Sequence, residues 1–258
     1  MLLKKMPFVC LILLALHLPA FAQQAQLKAV YVNGRWGYAD HSGKVVIPAQ
    51  FDAARPFIDG LAQVGVLNEE LPELEARPNL KWGYIDVTGR IVVELRYTIL
   101  QGFSEDVAAA AVLDAEKPER PMRGRGSRLN LRWGYVDRSG REIIPMQFLA
   151  AGDFAEGLAH VSAEGGDGGE GSLCGPSPNY GYIDKTGSFV IKPQFTRASP
   201  FQQGRARVSV GRIIYAGRCL CCGPRFIGTH GSVDRSGTFI ADKPKGGEAT
   251  LEEDLEDQ

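Results

Sequence analysis

The sequence has no charge of predominantly one sign. Of its 258 residues, 29 are Lys or Arg and 30 are Asp or Glu. That near-balance argues against a general nucleic-acid binder or a protein that coats anionic membranes. Apolar runs of membrane length are missing after the first 22 residues, so the body of the chain offers no spanning segment. No phosphate loop, metalloprotease helix, serine nucleophile elbow or dinucleotide fingerprint occurs. The glycine-rich run 165–171 lacks a strand-then-helix context and reads as a flexible insertion, not a phosphate cradle.

The chain does have a leader. Lys4 and Lys5 form a basic start, residues 8–18 are almost wholly apolar, and Ala20-Phe21-Ala22 puts small residues where a signal peptidase reads. The apolar run is too short for an anchor. Cys10 follows Pro7-Phe8-Val9, which is not a lipoprotein context. The expectation is a cleaved signal, residues 1–22, and a mature chain starting at Gln23. That chain is expected in the periplasm or outside the cell, without stable membrane insertion. Its 236 residues suffice for a substantial core. Two stretches are unevenly charged. Lys117, Arg120, Arg123, Arg125, Arg128 and Arg132 face one acid, Glu119. The tail carries Glu248, Glu252, Glu253, Asp254, Glu256 and Asp257 and no base from 248 onward. Both stretches are expected to be mobile, with 243–258 a disordered acidic tail after a repeat domain spanning 23–242.

The chain repeats itself. Aligned on a Trp-Gly-Tyr core, the copies begin at Trp36, Trp82, Trp133, Tyr180 and His230, at steps of 46, 51, 47 and 50 residues. The first four cores cover residues 36–47, 82–93, 133–144 and 180–191, with a degenerate fifth at 230–240. In the third copy residues 132–137 are rich in aromatic and β-branched types and read as a strand. Trp133 and Tyr135 then share one face. Asp137-Arg138-Ser139-Gly140 reads as a type I turn in which the carboxylate accepts a backbone N–H two residues on. Gly140 closes it in the left-handed conformation, as a bulged hairpin needs. Residues 142–145 read as a return strand ended by proline. The same turn recurs with Asp40 and Gly43, Asp86 and Gly89, Asp184 and Gly187, and Asp234 and Gly237. Each of the first four copies continues to a phenylalanine, a second sharp turn and a third strand, whereas the fifth closes at Phe239-Ile240 with no phenylalanine after it. Tyr38, Tyr84 and Tyr182 repeat the place of Tyr135.

The predicted fold is all-β: about three antiparallel strands per copy, stacked into a solenoid-like array, with propeller-like closure as the alternative. The pattern Trp-Gly-Tyr-Ile-Asp-x-Thr-Gly, then Val-Ile-x-Pro-x-Phe, then Phe-x-Glu-Gly-Leu-Ala-x-Val resembles the WG-repeat (KWG-repeat) family over roughly residues 27–242. The resemblance implies an all-β repeat module with interaction roles, and it brings no catalytic residues. Tyr180 and His230 replace Trp, and Glu94-Leu95 replaces the Ile-x-Pro turn. Those copies are expected to be less regular.

Candidate chemistry is sparse. Trp36, Trp82 and Trp133 can form either a glycan platform or a structural ladder, and aromatic stripes at strand spacing favour the ladder. The five Asp turns raise calcium, but each offers one carboxylate where a calcium loop converges several oxygens. Cys174, Cys219, Cys221 and Cys222 fall in variable segments. In an exported chain their even number favours disulfides, with Cys174 joining one of the other three. A soft metal near His230, or a reactive thiol with His160 or His230, are the alternatives. Neither a cofactor nor a metal is expected. The variable segments 65–80, 113–131, 163–179 and 211–229 occur at one point of the repeat. A regular stack sets them along one edge, where Arg123, Arg125 and Arg128 would attract a protein or cell-envelope partner. The expected function is therefore non-catalytic binding. A glycan binder using exposed Trp or Tyr, and a thiol- or metal-dependent enzyme at Cys219–Cys222, are the other readings.

Overall fold

A computed structural model describes residues 27–68, 79–114, 116, 119–121, 127–163, 179–214 and 225–243. Residues 1–26, which include the expected signal, the cysteines, Arg123, Arg125 and residues 244–258 lie outside them. The described residues contain strands and no helix, as the alternating pattern predicts.

Five antiparallel sheets follow one another in chain order. The first holds β1 (Lys28–Val32), β2 (Arg35–Ala39) and β3 (Val45–Phe51). The second holds β4 (Ala53–Ala54), β5 (Leu61–Leu67), β6 (Leu80–Asp86) and β7 (Ile91–Tyr97). The third begins with β8 (Ile99–Leu100) and β9 (Val107–Leu113). A separate hairpin follows, β10 (Glu119–Pro121) with β11 (Ser127–Leu129). The third sheet then resumes with β12 (Leu131–Asp137) and β13 (Glu142–Phe148). The fourth holds β14 (Ala150–Ala151), β15 (Ala159–Ala163), β16 (Asn179–Ile183) and β17 (Phe189–Phe195). The fifth holds β18 (Arg197–Ala198), β19 (Arg205–Ile214), β20 (Arg225–Asp234) and β21 (Phe239–Ala241). None closes into a barrel. The sheets form a tandem array of repeated meanders.

The sequence repeat and the sheet are out of phase. From the core strand onward, each of the first four copies gives two strands to one sheet and two to the next. The chain crosses at single residues, Asp52, Thr98, Leu149 and Thr196. Their N–H groups donate to the feeding strand of the next sheet, at 2.9, 2.9, 2.8 and 2.8 Å. Core clusters accordingly sit between sheets. Tyr135, Ile144 and Phe148 of the third sheet join Phe154, Val161 and Ile183 of the fourth. Each side chain of that kind contributes about 1.5–3 kcal/mol when fully buried. No sheet could cover these faces alone.

The return strand differs from its sequence reading. It does not end at the proline: β13 runs on to Phe148. Trp133 pairs with Phe148 and Tyr135 with Ile144, so Gly134 alone faces Pro145, Met146 and Gln147. Proline's missing N–H is tolerated at such a bulge. The bulge also explains the central Gly of the core. A Cβ on Gly134 would collide with the Ile144 carbonyl oxygen and stand 2.7 Å from that of Pro145. Two copies expected to be less regular keep this register. Trp82 pairs with Tyr97 and Tyr84 with Val93, while Tyr180 pairs with Phe195 and Tyr182 with Ile191. Backbone bulging does not need the proline, and an aromatic ring of either kind serves at the first position. Only the His230 copy departs, pairing Gly231, Ser232 and Val233 with Ala241, Ile240 and Phe239 without a bulge.

Candidate functional site

The sheets have two kinds of end. At one, the Asp turn joins the core strand to the return strand. In the third copy Asp137 Oδ1 accepts from Ser139 N (2.9 Å), Ser139 Oγ (2.6 Å) and Arg141 N (3.0 Å). Gly140 sits at φ 83°. Asp40, Asp86, Asp184 and Asp234 accept the equivalent bonds. The hydroxyl two residues on, above all, holds each of these carboxyls below its ordinary pKa. That oxygen is committed to its own turn, and among the described residues no group of three or more potential ligands could hold a metal. Each turn after the first also rests on the preceding sheet. A Cβ on Gly89 would meet Ile47, on Gly187 Ile144 and on Gly237 Ile191.

The second sharp turn lies at the same end. Ile58 and Leu61 exchange backbone hydrogen bonds of 2.9 and 3.0 Å around Asp59 and Gly60, both left-handed at φ 48° and 80°. This is a two-residue type I′ hairpin. Glu105-Asp106, Glu156-Gly157 and Gln203-Gly204 repeat it. Sequence reasoning expects a second sharp turn here but misses its first left-handed residue, which carries a side chain at positive φ. Its role is visible in space. The Asp-turn cation of each later sheet reaches the I′ turn of the sheet before. Arg138 Nη2 lies 3.6 Å from Asp59 of the sheet before, and its Nε lies 3.0 Å from Asp106 in the I′ turn of its own sheet. Lys185 Nζ donates to the Glu105 carbonyl (2.7 Å) and lies 3.3 Å from its carboxylate. Arg235 donates to the Glu156 carbonyl at 2.7 Å. The separations are 79, 80 and 79 residues, and that recurrence is the sequence signal. The signal also stops in register. The first two Asp turns have no earlier I′ turn to reach and carry His41 and Val87. The last I′ turn has no later Asp turn and carries Gln203.

Between the two ends, the core aromatics divide into two depths. Tyr38, Tyr135 and Tyr182 have no exposed surface and Tyr84 is 6% exposed. Their hydroxyls donate to the carbonyls of Arg55, Gln101, Gly152 and Ser199, each in the following sheet's entry segment, at 2.7–2.8 Å. Their rings lie 4.8–4.9 Å from Phe57, Phe103, Phe154 and Phe201. Burial pushes the phenol pKa of all four up. Trp36, Trp82, Trp133 and Tyr180 are only half-buried. Small partners stand opposite three of them: Gly65 for Trp82, Ala111 for Trp133 and Ser162 for Tyr180. Tyr31, 61% exposed, pairs with Trp36 at 5.1 Å.

The opposite end is where the copies differ. In the first sheet Asn33-Gly34 makes a tight left-handed turn, an available hairpin signal that periodicity alone passes over. In the other four sheets the two central strands are joined by the variable segments instead. Two are tied at their feet. Asn68 N donates to Asn79 O at 2.7 Å, and Asp114 N to Asn130 O at 2.9 Å. Arg132 also pairs with Asp114 at 2.9 Å, with both side chains largely buried. Within the stretch 117–132 the described residues form the β10–β11 hairpin, whose register sets Arg120 opposite Arg128. Likewise the last segment is shorter than 211–229, because the β19–β20 ladder continues to Ile214 and Arg225. Cys174 lies between β15 and β16, and Cys219, Cys221 and Cys222 between β19 and β20. These are equivalent connections of adjacent sheets. The disulfide and metal expectations themselves concern residues outside the described set.

A family model described as WG containing repeat matches residues 36–68, 82–112, 133–165 and 180–212. No curated protein matches the chain significantly.

Proposed function

The chain belongs to the WG-containing-repeat family, and from that premise we propose that it is an exported, non-catalytic binding scaffold. It takes a protein or cell-envelope component on the variable connections. The observation that carries this reading is positional. All four connections leave and rejoin the central strand pair at the end of the sheet opposite its Asp turn, and their sequences differ chemically from one another. A repeated framework with varied connections suits recognition, because the framework is fixed while the connections are free to differ. Arg123, Arg125 and Arg128 supply a salt-sensitive attraction on one of these connections. No catalytic residue is assigned.

The test compares two chains in cross-linking capture from the native host. One is the natural chain. In the other, the four connections are replaced by Asn-Gly, the first sheet's own solution. The reading expects one partner captured by the natural chain alone, with equal melting temperatures for both. Replacing Arg123, Arg125 and Arg128 with Ser should weaken capture, most visibly at low salt. Equal capture by both chains would overturn the proposal. So would turnover of a small substrate that depends on Cys219, Cys221 or Cys222.

A further inference from the structure

The fifth sheet ends the array unlike the others. Ser232 stands where the first four sheets carry their buried tyrosine. A hollow of about 670 Å³ lies beside it, lined by the exposed Pro200 together with Glu156, Arg205, Arg207 and Ser232. The equivalent place in the second sheet is about 150 Å³ and is lined by Tyr84 and by Phe103 and Arg138 of the third sheet.

The hollow's charge is also distinctive. Positions 205 and 207 match Leu61 and Gln63, Val107 and Ala109, and Leu158 and His160 of the earlier feeding strands. Only here are both arginine. Arg205 donates to Ser232 Oγ at 3.1 Å. Among the described residues no carboxylate lies within ion-pair distance of it. Arg207 pairs with Asp242 at 2.9 Å, in the open, with 73% and 44% of the two side chains exposed. The described chain thus leaves at the rim of the hollow, one residue after Asp242. Six carboxylates and no base follow between 248 and 257, along with Leu251 and Leu255.

We propose that this acidic segment of the chain itself docks in the hollow. Its carboxylates meet Arg205 and Arg207, and a leucine covers the exposed Pro200. Leu251 lies eight residues beyond Lys243, which allows a reach of about 26 Å at full extension. The short tether holds the segment at millimolar effective concentration, so weak contacts suffice.

Arginine-selective modification of the full chain, read by mass spectrometry at each site, tests the proposal. Arg205 should react roughly fivefold more slowly in the natural chain than in a variant with Glu248, Glu252, Glu253, Asp254, Glu256 and Asp257 changed to Gln or Asn. Added salt should erase the difference. Arg90, remote and 79% exposed, is the internal control. Ser232→Tyr refills the hollow and should also release Arg205, with melting unchanged. Equal rates at Arg205 in the natural and neutralised chains would overturn the proposal. Protection that grows with protein concentration would overturn it in favour of a second copy as the occupant.

Discussion

The two ends of each sheet follow different rules. At the turn end every copy repeats one set of side chains, and each turn after the first touches the preceding sheet through a glycine and, in later sheets, a cation. At the connection end no two copies agree, and the joining segments range from Asn33-Gly34 to one with its own hairpin. The difference shows where neighbours meet. Any change at the turn end is felt by two sheets, whereas the connection end only has to rejoin two strands that are already paired.

The comparison is attacked most severely by Gly140→Val. Gly140 combines φ 83° with a neighbour, since a Cβ there would collide with the Val92 carbonyl oxygen. The loss should be about 3 kcal/mol, from strain plus displaced backbone. Gly43→Val has the same φ problem but open space around it, and should cost about 1–2 kcal/mol. Chemical denaturation of both variants decides; equal losses would mean that contact between sheets adds nothing. Tyr135→Phe comes next. It strands the Gly152 carbonyl that the hydroxyl reaches at 2.7 Å, and should cost about 1 kcal/mol. A smaller effect is expected from Arg138→Ala, which removes two exposed ion pairs and should lose about 0.5 kcal/mol, vanishing at high salt. A salt-independent loss would assign Arg138 a packing role over the Phe103 ring, 5.0 Å away, instead. The smallest change belongs to the other end. Replacing residues 69–78 with Asn-Gly should move stability by less than about 0.5 kcal/mol. A loss several times larger would abolish the distinction between the ends.

Legibility followed the distance over which each force acts. The Asp turn is written within five consecutive residues, so Asp137, Ser139 and Gly140 announce it. The return strand misleads because proline at 145 reads locally as a stop, whereas its meaning depends on Gly134 across the ladder. Trp133 and Tyr135 share a face by parity, but parity does not give depth. Depth comes from Phe154, which arrives from the next sheet. The clasp of Arg138 on Asp59 needs the two sheets to be adjacent before its spacing has any meaning.

The single-residue crossings at Asp52, Thr98, Leu149 and Thr196 bear on cleavage. Peptide bonds span every boundary between sheets, while the central strands of a sheet are joined only through a variable connection. A nick within 164–178 therefore falls in the middle of the fourth sheet. The two pieces remain bound through the ladder from Ala159–Ile183 to Ala163–Asn179 and through the core shared with the third sheet. The molecule is laid out as a ready-made split protein. Fragments divided at these connections should find one another again, and a foreign domain spliced in there would interrupt no sheet boundary.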